Sequence, residues 1–156
     1  MKNSAKVVLM SALSLFAITL IAADDKLAGL KCPVSGGKIN AEKFVMHNGG
    51  KVYFCCENCP KSFEKDVAKF APKANLQLAQ SGQSKQTKCP LSGGKLNPEK
   101  TVEIGGVKVQ FCCEKCQGKV AGMKGDEQIA AVFADDVFKK AFQTGERKKL
   151  RKKGDE

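Results

Sequence analysis

The order of apolar and polar positions predicts two β-hairpins. In the first, two runs of β-forming residues at 44–47 and 51–54 flank Asn48-Gly49-Gly50, a sequence typical of a tight turn. In the second, Gly105-Gly106 separates similar runs at 101–104 and 107–111. Because a hairpin brings its ends together, we expect the residues before and after each hairpin to be neighbours.

Helical periodicity follows the first hairpin. Apolar side chains recur at helical spacing over residues 61–70, and Pro60 fits the first turn, where its missing amide proton is tolerated. A second short helix is predicted over residues 72–82, and residues 81–87 are predicted as a polar linker between two modules. An amphipathic helix is predicted over residues 126–143, with an apolar face that we assign to the core: Ile129, Val132, Phe133, Phe138, Ala141 and Phe142.

The chain contains an internal duplication. Residues 31–59 align without a gap with residues 88–116, and 19 of the 29 positions are identical. The sequence therefore predicts a small α+β protein with two tandem modules, each a β-hairpin followed by a helix. The predicted order is an N-terminal segment (24–30), a first cysteine module (31–80), the linker (81–87), a second cysteine module with the C-terminal helix (88–145) and a basic tail (146–156).

The N-terminus has the layout of a secretory signal. Lys2 and Lys6 precede an apolar run, residues 7–23, which ends in Ile21-Ala22-Ala23. We expect a signal peptide over residues 1–23 with cleavage after Ala23, and hence an exported protein, periplasmic or secreted. An uncleaved N-terminal membrane anchor is the alternative.

Charge and composition limit which architectures and partners this protein can have. The chain has a formal net charge of +11, and a low aromatic content with 15 glycines and no Trp argues against one large core. Two small units are expected, which usually need metals or disulfides for stability. The export signal argues against a nucleic-acid partner, and the basic tail (146–156) is suited to contact an anionic surface such as a membrane or cell-wall polymer. The sequence does not identify a protein partner.

The eight cysteines, four in each module, are the candidate metal ligands. The first hairpin should bring Cys32 close to Cys55, and Cys59 lies four residues after Cys55 at a predicted helix start, so that both face one side. Thiolates suit zinc and copper(I), and a helix N-terminus should lower a thiol pKa. The second module repeats the arrangement with Cys89, Cys112 and Cys116.

The duplication indicates whether the single histidine, His47, is a metal ligand. A ligand essential to a shared site should occur in both copies, but the counterpart of His47 is Ile104. We therefore interpret His47 as a surface residue of the hairpin and take only cysteines as shared ligands. No set of residues for hydrolytic catalysis is visible with one histidine, so no enzyme activity is predicted.

The motifs resemble a known class of metal-binding domain. The frame Cys-Pro-Val-Ser-Gly-Gly, then Val-Tyr-Phe-Cys-Cys-Glu-Asn-Cys, resembles the TRASH and YHS families of small treble-clef-like domains, and so does the second copy. The resemblance covers residues 31 to about 70 and 88 to about 123. It implies a treble-clef-like fold for both modules, heavy-metal binding, sensing or trafficking, and no catalysis. The cysteines that match the TRASH spacing are Cys32, Cys55 and Cys59, and Cys89, Cys112 and Cys116.

The fourth ligand is the point where the chain departs from the four-cysteine version of that fold. Ser35 and Ser92 occupy the second position of the expected Cys-x2-Cys knuckle. Cys56 and Cys113 are the candidates for a fourth ligand, although adjacent helical residues point about 100° apart. With three thiolates the site would favour copper(I), or zinc with an open position. We expect one zinc or copper(I) ion in each module.

Two other functions compete with metal binding. In an exported protein an even cysteine count is typical of disulfides, and two bridges in each module would give a disulfide-stapled structural or interaction protein. Alternatively, Cys56 with Cys59, and Cys113 with Cys116, could be the Cys-x2-Cys pairs of a thiol-disulfide oxidoreductase.

Overall fold

The computed structural model describes residues 27–145 as a small α+β protein. The predicted signal peptide (1–23) and basic tail (146–156) lie outside the described residues. No helix within residues 27–145 has the length and apolar character needed to cross a membrane. The elements are β1 (Asn40–His47), β2 (Gly50–Phe54), α1 (Asn58–Lys65), α2 (Val67–Gln80), β3 (Ser84–Gln86), β4 (Asn97–Ile104), β5 (Val107–Phe111), α3 (Glu114–Ala121), α4 (Asp126–Phe133), α5 (Asp135–Ala141) and β6 (Phe142–Thr144).

Both predicted hairpins are confirmed. Strand β1 pairs antiparallel with β2, and β4 with β5, each through a two-residue turn. The turn residues Asn48 and Gly49 have φ of 50° and 81°, and Gly105 and Gly106 have φ of 55° and 80°. Two successive positive φ values fit the turn whose twist matches that of paired strands, which explains the choice of Asn and Gly.

The helix predicted over residues 61–70 is wrong in its extent. The chain instead forms two helices, and α1 ends before Asp66, which has φ −142° and ψ 69°. The Asp66 carboxylate accepts a hydrogen bond from the backbone N–H of Lys69 at 3.2 Å. Asp66 therefore separates α1 from α2 and caps the start of α2, which the spacing of apolar residues does not reveal.

Helix α2 supports both hairpin turns. A Cβ atom added to Gly50 would lie 2.7 Å from Leu78, and one added to Gly105 would lie 2.8 Å from Leu76. The two leucines therefore pack against one turn from each copy of the duplication. Helix α2 begins at Val67 and includes Pro72, so the short helix predicted over residues 72–82 is the second part of a longer helix.

The single C-terminal helix predicted over residues 126–143 is also wrong in its extent. The chain breaks at Ala134, where ψ is 148°, so that α4 and α5 are separate, and residues 142–144 form β6. At this break, the side-chain amide of Asn75 donates a hydrogen bond to the carbonyl oxygen of Phe133 at 2.9 Å. The assignment of the apolar face to the core is confirmed for five residues, which are buried: Val132, Phe133, Phe138, Ala141 and Phe142. Ile129 is only partly buried and packs against this core.

The polar segment between the two copies contains a strand. Strand β3 lies within the predicted linker and pairs antiparallel with β6, with Ser84 opposite Thr144. The chain after the second copy therefore returns to the segment that connects the copies.

The two copies share one core. A single hydrophobic cluster contains Val52 and Phe54 from the first hairpin, Val109 and Phe111 from the second, and Leu78 from α2. The prediction of two small separate units is therefore wrong. The difference arises because α2, which follows the first copy, is buried by elements from both halves.

Candidate metal centre

Each copy of the duplication gathers three cysteine sulfurs. In the first site, the Sγ atoms of Cys32, Cys55 and Cys59 all lie within 4.8 Å of one another, and those of Cys55 and Cys59 are 3.5 Å apart. Three sulfurs bound to one zinc ion at about 2.3 Å would be separated by about 4 Å. The spacing of the first triad is therefore suited to one ion.

The second copy repeats this geometry. The Sγ atoms of Cys89, Cys112 and Cys116 also lie within 4.8 Å of one another, with 3.7 Å between Cys112 and Cys116. The structure therefore brings together all six cysteines that the sequence assigned to the two triads.

Three local structures position the first triad. Cys32 lies in a tight turn in which its N–H donates to the Gly37 carbonyl and its own carbonyl accepts from Gly36 N–H, both at 2.8 Å. Cys55 directly follows β2, and Cys59 lies in the first turn of α1. The hairpin folds the first segment back onto the other two, as predicted.

The triads differ in exposure. Cys32 and Cys59 are buried, at 1% and 7% exposure, and Cys55 is half-buried. In the second site, Cys89 is buried at 1%, but Cys116 is half-buried like Cys112. Both sites are shielded at the turn cysteine, and the second site is more open than the first because its helix cysteine is half-buried rather than buried.

Cys56 and Cys113 lie beside the triads without joining them. Both are exposed, and the Cys56 sulfur is 3.5 Å from that of Cys59, whereas the Cys113 sulfur is 3.6 Å from that of Cys112. Each extra thiol thus lies against the two triad sulfurs nearest to it in the chain, Cys55 and Cys59 in the first copy and Cys112 and Cys116 in the second. Their role as ligands stays a prediction.

All eight cysteines lie in the described part of the chain and are free thiols. The Cys59 sulfur is 3.5 Å from those of Cys55 and Cys56, whereas a disulfide bond is about 2.05 Å long.

The turn cysteines have lowered pKa values. Burial raises the pKa of Cys32, but hydrogen bonds from the Ser35 hydroxyl and from the backbone N–H groups of Ser35, Cys55 and Val34 outweigh it and lower the pKa from 9.0 to about 7. Cys89 has the same balance, with Ser92 as the main hydrogen-bond donor, and its pKa is also about 7. Each site therefore contains one sulfur that readily becomes a thiolate.

The helix cysteines behave in the opposite way. Burial and the neighbouring sulfurs raise the pKa of Cys59 well above its ordinary value, and raise that of Cys116 to about 12. The expectation that a helix N-terminus lowers the thiol pKa is therefore wrong for these two. It holds for Cys56 and Cys113, whose pKa values are lowered by backbone N–H groups at the helix start. A metal cation would compensate the thiolates that otherwise repel one another within a triad.

Two serines of the sites were missed as functional residues. The Ser35 Oγ atom lies 3.2 Å from the Cys55 sulfur, and the Ser92 Oγ atom lies 3.1 Å from the Cys112 sulfur. The sequence carried a signal for them, because serine occurs at the same position in both copies. In the sequence, these positions stand out only because they lack the expected cysteine.

An ion pair joins the hairpin to the helix start in each copy. Lys43 contacts Glu57 at 2.7 Å, and Lys100 contacts Glu114 at 2.6 Å. All four residues recur in register in the duplication, which is the signal that could have found them. Each pair links the first strand of its hairpin to the residue after the double cysteine.

The interpretation of His47 as a surface residue is wrong. Its side chain is only 12% exposed, and its Nε2 atom lies 3.3 Å from Asp135 Oδ1. The ring also packs edge-on against Phe63, with 5.2 Å between centroids. His47 lies outside both triads and joins the first hairpin to α5.

Comparisons with protein families, with curated proteins and with solved structures found no match to this chain. The functional assignment therefore rests on the geometry of the two triads.

Proposed function

We propose that the chain is an exported, non-enzymatic heavy-metal-binding protein that holds one zinc or copper(I) ion in each of two thiolate sites. One observation carries the proposal: two triads of cysteine sulfurs, each within 4.8 Å, are built in the same way by both copies of a duplication. Such a repeated cluster of soft donors matches the ligand preference of zinc and copper(I).

The acid-base properties of the triad cysteines also support metal binding. Within the first triad, the pKa of Cys32 is lowered to about 7, whereas that of Cys59 is raised by burial and by neighbouring sulfurs. A cation that binds all three sulfurs would displace the remaining protons and relieve the repulsion between thiolates. The resemblance to the TRASH and YHS families supports the same function and a treble-clef-like arrangement of each module. It also favours metal sensing or trafficking over catalysis.

The test is native mass spectrometry with thiol counting on the full chain purified without reductant. We expect two bound metal ions, which chelation removes to leave eight free thiols. Four disulfides without metal would instead support the stapled structural protein. Reduction of insulin by the purified chain would support the oxidoreductase.

Matched variants sharpen this test. Cys59→Ser and Cys116→Ser should each remove one metal equivalent, because each variant breaks one triad, and the double variant should bind none. Cys56→Ser is the control, since it removes an exposed thiol from the same helix start but leaves the triad intact. Loss of metal from Cys56→Ser equal to that from Cys59→Ser would contradict the assignment of the site to the triad.

A further inference from the structure

We propose that Ser35 and Ser92 set the metal specificity of the two sites, because they limit each site to three thiolates and so select copper(I) over zinc. This inference rests on the proposed function and deepens it. It names the ion and the residues that choose it.

The position of the serines is the first step. Ser35 lies in the same tight turn as Cys32, and its Oγ atom is 3.2 Å from the Cys55 sulfur. The hydroxyl also hydrogen-bonds to Cys32, so it contacts two of the three sulfurs in the triad. Ser92 has the same two contacts in the second site, to Cys112 and Cys89. A fourth ligand on the turn would therefore project from this position.

The hydrogen bonding of the hydroxyl is the second step. The backbone N–H of Gly37 donates to Ser35 Oγ at 3.2 Å, and Gly94 donates to Ser92 Oγ at the same distance. A thiolate has no proton to donate, so the hydroxyl is the donor in its contact with an ionised Cys55 or Cys112 sulfur. Each serine thus donates a hydrogen bond to a thiolate and adds no negative charge to the site.

The two exposed cysteines lie outside the triad in both copies. The sulfurs of Cys56 and Cys113 are not among the three that lie within 4.8 Å of one another, and both residues are exposed beside a helix start. Each site therefore presents three thiolates as ligands, with a serine hydroxyl beside them.

Coordination chemistry gives the selectivity. Structural zinc sites almost always have four protein ligands in a tetrahedron, so three thiolates leave zinc incomplete. Soft thiolates suit copper(I), which is stable with three sulfur ligands. The hydroxyl donors strengthen the site for a three-coordinate ion because they partly neutralise the thiolates from outside the coordination sphere.

The experiment compares metal preference in serine variants of the reduced, metal-free full chain. Zinc and copper(I) are titrated in competition with chromophoric chelators, and cobalt(II) absorption reports the number of thiolate ligands. The variants are S35C/S92C, which adds a fourth thiolate, and S35A/S92A, which removes only the hydroxyls. S35C alone serves as an internal control, since it should alter one site of the two.

The wild-type chain should bind two copper(I) ions, prefer them to zinc and show cobalt absorption typical of three thiolates. S35C/S92C should bind zinc at least about tenfold more tightly and shift the cobalt spectrum to four thiolates, whereas S35A/S92A should not gain affinity for zinc. A wild-type cobalt spectrum with four thiolates would overturn the inference, and this readout does not depend on the folding of any variant. An unchanged preference in folded S35C/S92C would also overturn it.

The outcomes separate this inference from the function on which it rests. If the wild-type chain binds two metal ions but the serine variants do not change their identity, only the role of the serines is wrong. If the wild-type chain binds neither metal, the proposed function is wrong as well.

Discussion

At the scale of single residues, cysteines that look equivalent in the sequence have different acid-base properties. Cys32 and Cys89 lie in turns whose N–H and hydroxyl groups point at the sulfur, so their pKa values fall to about 7. Cys59 and Cys116 are surrounded by other sulfurs and have raised pKa values. The duplication shows that this contrast is built into the site, because both copies have it.

The stability of the metal-free, reduced protein should therefore depend on pH with a maximum near pH 9. The turn cysteines ionise at about pH 7 when folded and at about 9.0 when unfolded, so their contribution is present above pH 9 and is lost as the pH falls towards 7. Above pH 9 the unfolded chain ionises Cys59 and Cys116 but the folded chain does not, which lowers stability. Urea unfolding between pH 6 and 10.5 checks this. Stability that falls steadily from pH 7 to 9 would contradict the lowered pKa values.

A glycine in the second hairpin turn should be sensitive to substitution. In Gly105→Ala, the new Cβ would lie 2.8 Å from Leu76 and the residue would keep a φ of +55°, so we expect a loss of about 2–4 kcal/mol in the free energy of unfolding. Gly106→Ala has the positive φ but no atom within 4 Å, and should lose about 1–2 kcal/mol. Gly118→Ala, which lies in α3 with open space around it, should gain about 0.5–1 kcal/mol. Denaturant unfolding measures all three, and equal losses for Gly105→Ala and Gly106→Ala would contradict the packing of the turn on α2.

At the scale of elements, a glutamine completes the outer edge of the second strand in each hairpin. Gln77 of α2 accepts from Tyr53 N–H at 2.7 Å and donates to the carbonyls of Tyr53 and Lys31, both at 2.9 Å. Gln86 of β3 makes the equivalent bonds to Gln110 and Lys88 in the second copy. Each amide replaces a third strand and ties the hairpin to the residue before the turn cysteine.

Removal of these amides should destabilise the protein. Gln77→Ala leaves backbone groups of β2 without partners in a buried region, and we expect a loss of about 2–4 kcal/mol. Gln86 is half-buried, so Gln86→Ala should cost less, about 1–2 kcal/mol. The matched control is Gln80→Ala on the same helix, which removes one exposed hydrogen bond to Gly105 and should cost below about 1 kcal/mol. Urea unfolding measures the free energy of unfolding of each variant. A loss for Gln77→Ala no larger than that for Gln80→Ala would show that the hydrogen bonds of the Gln77 amide do not stabilise β2.

At the scale of the whole molecule, the duplication does not divide the described chain into two separate cores. Leu76 and Leu78 of α2 pack against one hairpin turn each, and strand β6 returns to pair with β3. The Asn75 amide also accepts a hydrogen bond from Asn48 at the first hairpin turn, at 2.8 Å, and donates one to the carbonyl of Phe133 at the end of α4.

The metal-free protein should therefore unfold in one cooperative transition. Because both copies bury their apolar residues in one cluster, neither can unfold and leave the other intact. Calorimetry and circular dichroism should give coincident transitions, with a calorimetric enthalpy close to the van't Hoff enthalpy. Two resolved transitions would indicate the independent modules that the sequence suggested.

The sequence by itself determined the parts of this protein that depend on neighbours along the chain. The hairpins follow from the turns at Asn48-Gly49 and Gly105-Gly106, and the two triads follow from hairpin closure and cysteine spacing. The duplication strengthened both predictions, because each pattern occurs twice.

Only the tertiary structure determined where the helices end and how the hairpins and helices pack together. The helix breaks at Asp66 and Ala134, the partner of His47 and the shared core all depend on contacts between segments far apart in the chain. Periodicity records which face of an element is apolar, but not which element covers that face. For the same reason, the sequence does not show which groups surround the turn and helix cysteines, and hence why their pKa values move in opposite directions.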